Sequence, residues 1–168
     1  MEKEKGIRTE VESKIFICDT CKQPIQEIED GWVEWLVEAR DEHGVRHGKG
    51  LRLVHHRPAS PRRSTYGCQY LDSDQRGGLI LEDLALANFL GTDGLMLLLS
   101  MLADGDVTQE EFLEMAKRFH IPGYEQARPH FQEAINEGVI EPNLPEGYYW
   151  QREIKEVLEF IQAESVSI

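Results

Sequence analysis

The chain has 168 residues and a formal net charge of −13, with 40% hydrophobic and 29% charged residues. That length accommodates one domain or two small ones, and the apolar fraction is enough to fill a core. The charge argues against general affinity for nucleic acid or anionic membranes, because phosphates would be repelled, and the most apolar stretch, Gly94 to Ala103, is too short to span a bilayer.

Residues 1–14 read as a charged, mobile lead-in without the apolar run of a signal peptide, so the chain is expected in the cytoplasm. Three cysteines suit that location: an odd number cannot pair off completely, and in a reducing compartment a CxxC is a metal or redox motif. Ile15-Phe16-Ile17 is a short apolar strand running into Cys18-Asp19-Thr20-Cys21. From Gly31 to Arg40 the residues alternate, with Val33, Trp35, Val37 and Ala39 on one face and Glu34 and Glu38 on the other, which predicts a half-buried strand. Asp41 to Gly50 is a polar, glycine-rich loop, and Leu51 to His56 a second strand, so the pair predicts a long-looped hairpin.

Arg57 to Tyr66 is irregular, and the turn-rich run Asp72 to Gly78 predicts the boundary between a β module (residues 15–76) and a helical domain (77–168). Beyond it, Leu79 to Phe89 reads as a helix, and Gly94 to Ala103, capped by Asp93, as a helix buried all round. Thr108-Gln109-Glu110-Glu111 fits a capping box opening a helix that runs to about Phe119. Gly123 to Gly138 is a further helix, with Tyr124, Ala127, Phe131, Ala134 and Ile135 inward, which Pro129 kinks unless the helix starts at that proline. Val139-Ile140 and Tyr148-Tyr149-Trp150 flank a proline-bearing turn as a small hairpin, and Ile154 to Ile161 closes the chain as an amphipathic helix.

Two thiolates spaced as Cys18 and Cys21, on a turn leaving a strand, can grip one tetrahedral ion. His55, His56 and Cys68 arrive at the end of the hairpin and can complete a Cys3His set of soft ligands suited to zinc. His55 binds if the ion lies under the face of Leu51 and Leu53; His56 binds if it lies beyond the strand end. The module resembles a zinc ribbon, in which the metal is a structural staple for a segment too small to fold alone. A thioredoxin-type redox pair is the competing reading, but such motifs open a helix, whereas Pro24 and Asp30-Gly31 follow here.

Other signals are weaker. Asp72 to Asp83 echoes a calcium-binding loop, yet Arg76 stands where an oxygen ligand belongs. The His-His pair is reminiscent of metal-dependent HNH nucleases, but Arg57 to Tyr70 supplies neither the Asn nor the His such a site needs downstream. Arg46, Lys49, Arg52, Arg57, Arg62, Arg63 and Arg76 oppose only Asp72 and Asp74. Within this cluster Arg52, Arg57, Arg62 and Arg63 are candidates for contact with an anion.

In the C-terminal part, two helices precede the turn His120-Ile121-Pro122-Gly123. A third helix ends in Ala134-Ile135-Asn136-Glu137-Gly138-Val139-Ile140, and Glu141 to Trp150 follows. This order resembles a winged helix-turn-helix domain, with Glu141 to Trp150 in the place of the wing. The resemblance implies DNA binding by the third helix, where Arg128 and His130 could reach a groove. The charge departs from that expectation: residues 91–162 hold fourteen acidic against five basic side chains. The expectation is therefore an α+β protein, a zinc-bound β module followed by a helical, winged-helix-like domain. It is expected to act without catalysis, as an adaptor or regulator meeting a protein partner or its own twin. A nucleic-acid-binding regulator and a metal-dependent nuclease are the alternatives.

Overall fold

The computed structural model describes residues 15–70 and 77–166, and everything below refers to them. The lead-in over 1–14 and the Asp72 to Arg76 run that echoed a calcium loop lie outside the described residues. The chain is mixed α+β with two small sheets. Strands β1 (Phe16–Ile17) and β2 (Pro24–Ile25) pair antiparallel across the CxxC turn. Strand β3 (Gly31–Val37) is the centre of a three-stranded antiparallel sheet between β4 (Gly48–His55) and β5 (Ile80–Ala85).

The predicted hairpin is β3–β4, with Gly31 opposite His55 and Val33 opposite Leu53. Glu34 departs from the expected outward position. It is fully buried, because the opposite face of β3 is also covered and Arg52 on β4 meets its carboxylate.

The segment expected as a helix from Leu79 to Phe89 is instead β5 followed by a 3-10 turn, Leu86–Phe89. Its apolar spacing fits either period. Gly77 and Gly78, both at positive φ, precede a run that pairs with β3 from Val37 opposite Ile80 to Trp32 opposite Ala85. Backbone pairing along a ready strand outweighs a weak helical pattern.

Helix α1 (Gly91–Asp104) follows, starting before Asp93 and ending at left-handed Gly105. It is not buried all round. Gly94, Leu98 and Met101 face the core, while Met96 and Leu99 are 66% and 44% exposed. At its end the chain passes against β4 so closely that a Cβ on Gly48 would run into the Asp106 carbonyl, and the Gly48 amide donates to Gly105 O at 2.7 Å.

Helix α2 (Gln109–His120) carries the capping box that Thr108 and Glu111 predict: Glu111 N donates to the Thr108 hydroxyl and Thr108 N to the Glu111 carboxylate. The same carboxylate accepts from Gly50 N, tying the start of α2 to β4. Pro129 divides the next helix into α3 (Tyr124–Ala127), a 3-10 turn (Arg128–His130) and α4 (Phe131–Asn136).

The hairpin expected from Val139 to Trp150 has no strand pairing; the segment is held by side chains instead. Tyr149 stacks on Phe131 with centroids 3.7 Å apart, and the Lys117 ammonium donates to Gly147 O at 2.8 Å. Helix α5 (Gln151–Val166) is longer than expected and packs Ile154 and Val157 inward. One buried cluster runs from Phe16 and Cys18 through the three-stranded sheet to Phe119 on α2. A second joins Tyr124, Phe131 and Ala134 to Ile154 and Val157.

Candidate metal centre

The CxxC turn is shaped by backbone pairing. Cys18 N donates to Gln23 O at 3.0 Å and Lys22 N to Cys18 O at 2.9 Å, closing a tight loop. Lys22 sits at φ 62°, a left-handed conformation uncommon outside glycine, and its ammonium bonds Asp19 O at 2.7 Å. Two further bonds anchor the loop. Asp19 N donates to Leu53 O at 2.7 Å, and Leu53 N donates back to the Asp19 carboxylate at 2.7 Å. The Thr20 hydroxyl reaches Cys68 O at 2.7 Å. The turn is thus stitched to the strand and to the loop that deliver the other candidate ligands.

His55 closes β4 on the face shared by Leu53 and Val33, and is buried. Its Nε2 lies 3.1 Å from Pro24 O. A carbonyl only accepts, so that nitrogen carries the proton and Nδ1 presents a lone pair to the sulfurs. Nδ1 is 3.5 Å from Cys21 Sγ and 3.8 Å from Cys68 Sγ. Cys68 is buried and held by the Ser60 hydroxyl, 3.1 Å from its sulfur.

The ligand atoms of Cys18, Cys21, His55 and Cys68 all lie within 4.8 Å of one another. A tetrahedral ion with metal–sulfur bonds near 2.3 Å places its ligand atoms about 3.8 Å apart, so the cluster has the size such an ion requires. Three thiols and an imidazole are soft to borderline donors, and four of them complete a tetrahedron without an open position.

Burial pushes the Cys21 thiol up to about 12, with the neighbouring Cys18 and Cys68 thiols adding to the rise. Metal-free Cys21 is therefore a thiol at neutral pH, and a divalent ion binding here displaces its proton.

The structure brings together four of the five candidate ligands and sets His56 aside. The His56 ring stacks on Trp32, centroids 4.4 Å apart at 17°, and its backbone N donates to Asp30 O. Among the candidate anion contacts, Arg52 is taken up internally. It pairs with Glu34 at 2.7 Å, lies 3.5 Å over the Tyr70 ring and reaches Cys68 O. Arg57, Arg62 and Arg63 remain exposed, with Arg57 above the Tyr66 ring at 5.7 Å.

Sequence reasoning missed the residues that hold the ligands: Asp19, Thr20, Ser60 and the Pro24 carbonyl. Asp19 carried a signal, since an acceptor inside a tight CxxC turn is placed to bind nearby amides. The others meet their partners only through tertiary folding.

Fold and site together define a mixed α+β protein with a candidate Cys3His metal centre. Comparison of the chain with protein-family models, with curated proteins and with solved structures finds no match in any of the three.

Proposed function

We propose that this chain is a zinc-stapled, non-enzymatic adaptor or regulator that works through contacts with another protein or a second copy of itself. The observation that carries the metal half of this reading is the convergence of Cys18, Cys21, His55 and Cys68 within 4.8 Å. Four protein ligands fill a tetrahedral zinc and leave no position for a substrate, which is the arrangement of a structural ion. The zinc-ribbon-like reading of this region rests on the same CxxC turn and on the short strands around it.

For the partner half, the support lies at the C-terminal surface. Tyr148 and Trp150 are 37% and 57% exposed, next to a domain whose acidic side chains disfavour duplex phosphates. The winged-helix-like reading is supported by the order α1, α2 and the broken α3–α4, with an irregular segment where a wing would stand. A protein with free thiol ligands belongs in a reducing compartment such as the cytoplasm. No helix among the described residues is long and apolar enough to cross a membrane.

Metal analysis of the purified chain tests this reading, together with a size measurement before and after chelation. One equivalent of zinc is expected, with the N-terminal sheet unfolding when it is removed. Protein without bound metal that keeps its fold would overturn the staple.

A second reading has one observation in its favour, the exposed Arg57, Arg62 and Arg63 on the loop around Cys68. Under it, a nucleic acid binds there in a salt-sensitive way, and Arg62→Glu with Arg63→Glu weakens it. Unchanged affinity in that variant would end this alternative.

A further inference from the structure

Asp19 lies between two candidate metal ligands, yet its carboxylate faces away from them. It accepts from Arg118 Nη1 at 3.0 and 2.8 Å through its two oxygens, in addition to the Leu53 amide. Arg118 is on α2 and only 4% exposed. Its other donors are also engaged: Nη2 donates to Ile17 O at 2.9 Å and Glu125 Oε1 at 2.9 Å, and Nε donates to Glu125 Oε2 at 2.7 Å.

Glu125, on α3 and 2% exposed, completes the circuit by accepting from Ile17 N at 2.9 Å. One guanidinium therefore joins the CxxC turn, β1, α2 and α3. Burial works against the Arg118 charge, but Glu125 and Asp19 together hold it above the ordinary arginine range.

A buried cation of this kind has no graded alternative. With either carboxylate displaced, the nearly buried Arg118 loses a charge partner and is left under-compensated, which is unfavourable. The position of Asp19 is in turn set by the turn that Cys18 and Cys21 close, and ligation by both sulfurs fixes that turn. Removing the ion frees the turn, and the consequence passes through Asp19 to α2 and α3. From α2, Lys117 holds Gly147 and lies 4.6 Å over the Tyr148 ring, so the same helix also carries the surface with Tyr148 and Trp150.

We propose that Asp19 and Arg118 form a latch coupling metal occupancy at the Cys3His cluster to the packing of α2 and α3, and so to the presentation of that surface. Both are positioning residues, and the latch rests on the zinc reading given above. Coupling of this kind is reciprocal: whatever loosens the helical end of the latch weakens metal binding by the same factor.

The test uses the full chain loaded with cobalt or zinc, with amide hydrogen exchange followed before and after chelation. Chelation is expected to raise exchange in residues 16–25 and 48–56 and also in 109–127. Residues 157–164 of α5, which pack in the second cluster, should change little. Asp19→Asn and Arg118→Met should each weaken zinc binding about tenfold in chelator competition, within the usual range of coupled sites. The cobalt–thiolate spectrum should stay unchanged, and the double variant should be no weaker than either single one.

Metal-bound protein whose α2–α3 exchange ignores chelation would overturn the latch and leave the zinc centre standing. So would an equal rise throughout α5, or wild-type affinity in Asp19→Asn. A chain that binds neither cobalt nor zinc would overturn the zinc reading, and the latch with it. Should Arg118→Met fail to fold, Asp19→Asn and the wild-type exchange experiment still decide the matter.

Discussion

Around Cys18 and Cys68 the interior mixes Phe16, Val33, Leu53 and Phe119 with thiols, an imidazole and the paired charges of Glu34 and Arg52. The second interior is built mainly from rings and aliphatic groups, Tyr124, Ala127, Phe131, Ala134, Ile140, Ile154 and Val157, with one buried carboxylate, Glu153, that accepts from Trp150 N at the start of α5. The difference follows from the elements available. β1 and β2 are two residues long and, although Phe16 and Ile25 are buried, pair at only two positions, so the turn between them needs another source of stability. Helices α4 and α5 each present a continuous apolar face and need none. Arg118 and Glu125 stand at the junction of the two regions, and their polar character belongs to the first of them.

The largest expected effect separates the regions outright. His55→Ala should abolish metal retention and unfold the sheet region, because binding of structural zinc contributes about 10–16 kcal/mol in small zinc-dependent folds. Signals from the second cluster should persist to a later midpoint in thermal melts followed by near-ultraviolet circular dichroism. Simultaneous loss would merge the two regions into one cooperative unit.

Phe131→Ala makes the converse cut. It removes the ring stacked on Tyr149 and should lower stability by about 3–5 kcal/mol, with zinc content unchanged. Loss of metal in that variant would break the comparison from the other side. Thr108→Ala comes next, at about 1 kcal/mol in urea unfolding, since it deletes one half of the capping box on α2. Its effect should fall on the first region, because Glu111 in the same box also holds Gly50 on β4.

How legible the two regions were in the sequence follows the same division. Three of the candidate ligands of the first, Cys18, Cys21 and Cys68, could be named from residue type and spacing, with one of His55 and His56 as the fourth, as could the hairpin that delivers them. The choice of His55 over His56 waited on Pro24 O and Trp32, which are distant in sequence and claim one ring each. β5 was misread as a helix because Leu81, Leu84 and Ala85 satisfy a helical spacing, and only pairing with β3 decides between the two. In the second region the inward positions on α3 and α4 were readable from their period, and Pro129 announced the break. The wing hairpin was not there to find: a proline-bearing run held by Lys117 and Phe131 leaves the same polar-apolar pattern as paired strands. The Asp19–Arg118–Glu125 network left no trace, because its members are ordinary surface residue types until the fold encloses them.

Glu34 sharpens the comparison most finely, since it asks whether a buried charge helps the first region or merely is tolerated by it. Burial pushes its carboxyl above the ordinary range, although Arg52 and the Tyr70 amide pull it back and Asp83 opposes them. The native state therefore keeps the Glu34 proton to higher pH than the unfolded chain does. Where the native state holds more protons, stability falls as pH rises, so Glu34 removes stability from about pH 4.3, the ordinary glutamate value, up through its raised one. Glu34→Gln cannot titrate. Relative to the wild type, it should gain as pH climbs from that value to neutrality, and comparing the two chains cancels any acid lability of the metal site. At neutral pH the net change should stay below about 1 kcal/mol, because an amide oxygen still accepts from Arg52 and Tyr70 N. Urea titrations across this range measure it. A wild type that instead gains on Glu34→Gln with rising pH would mean that the Arg52 pair stabilises the ionised carboxylate beyond the cost of burying it, making the charge a support of the sheet.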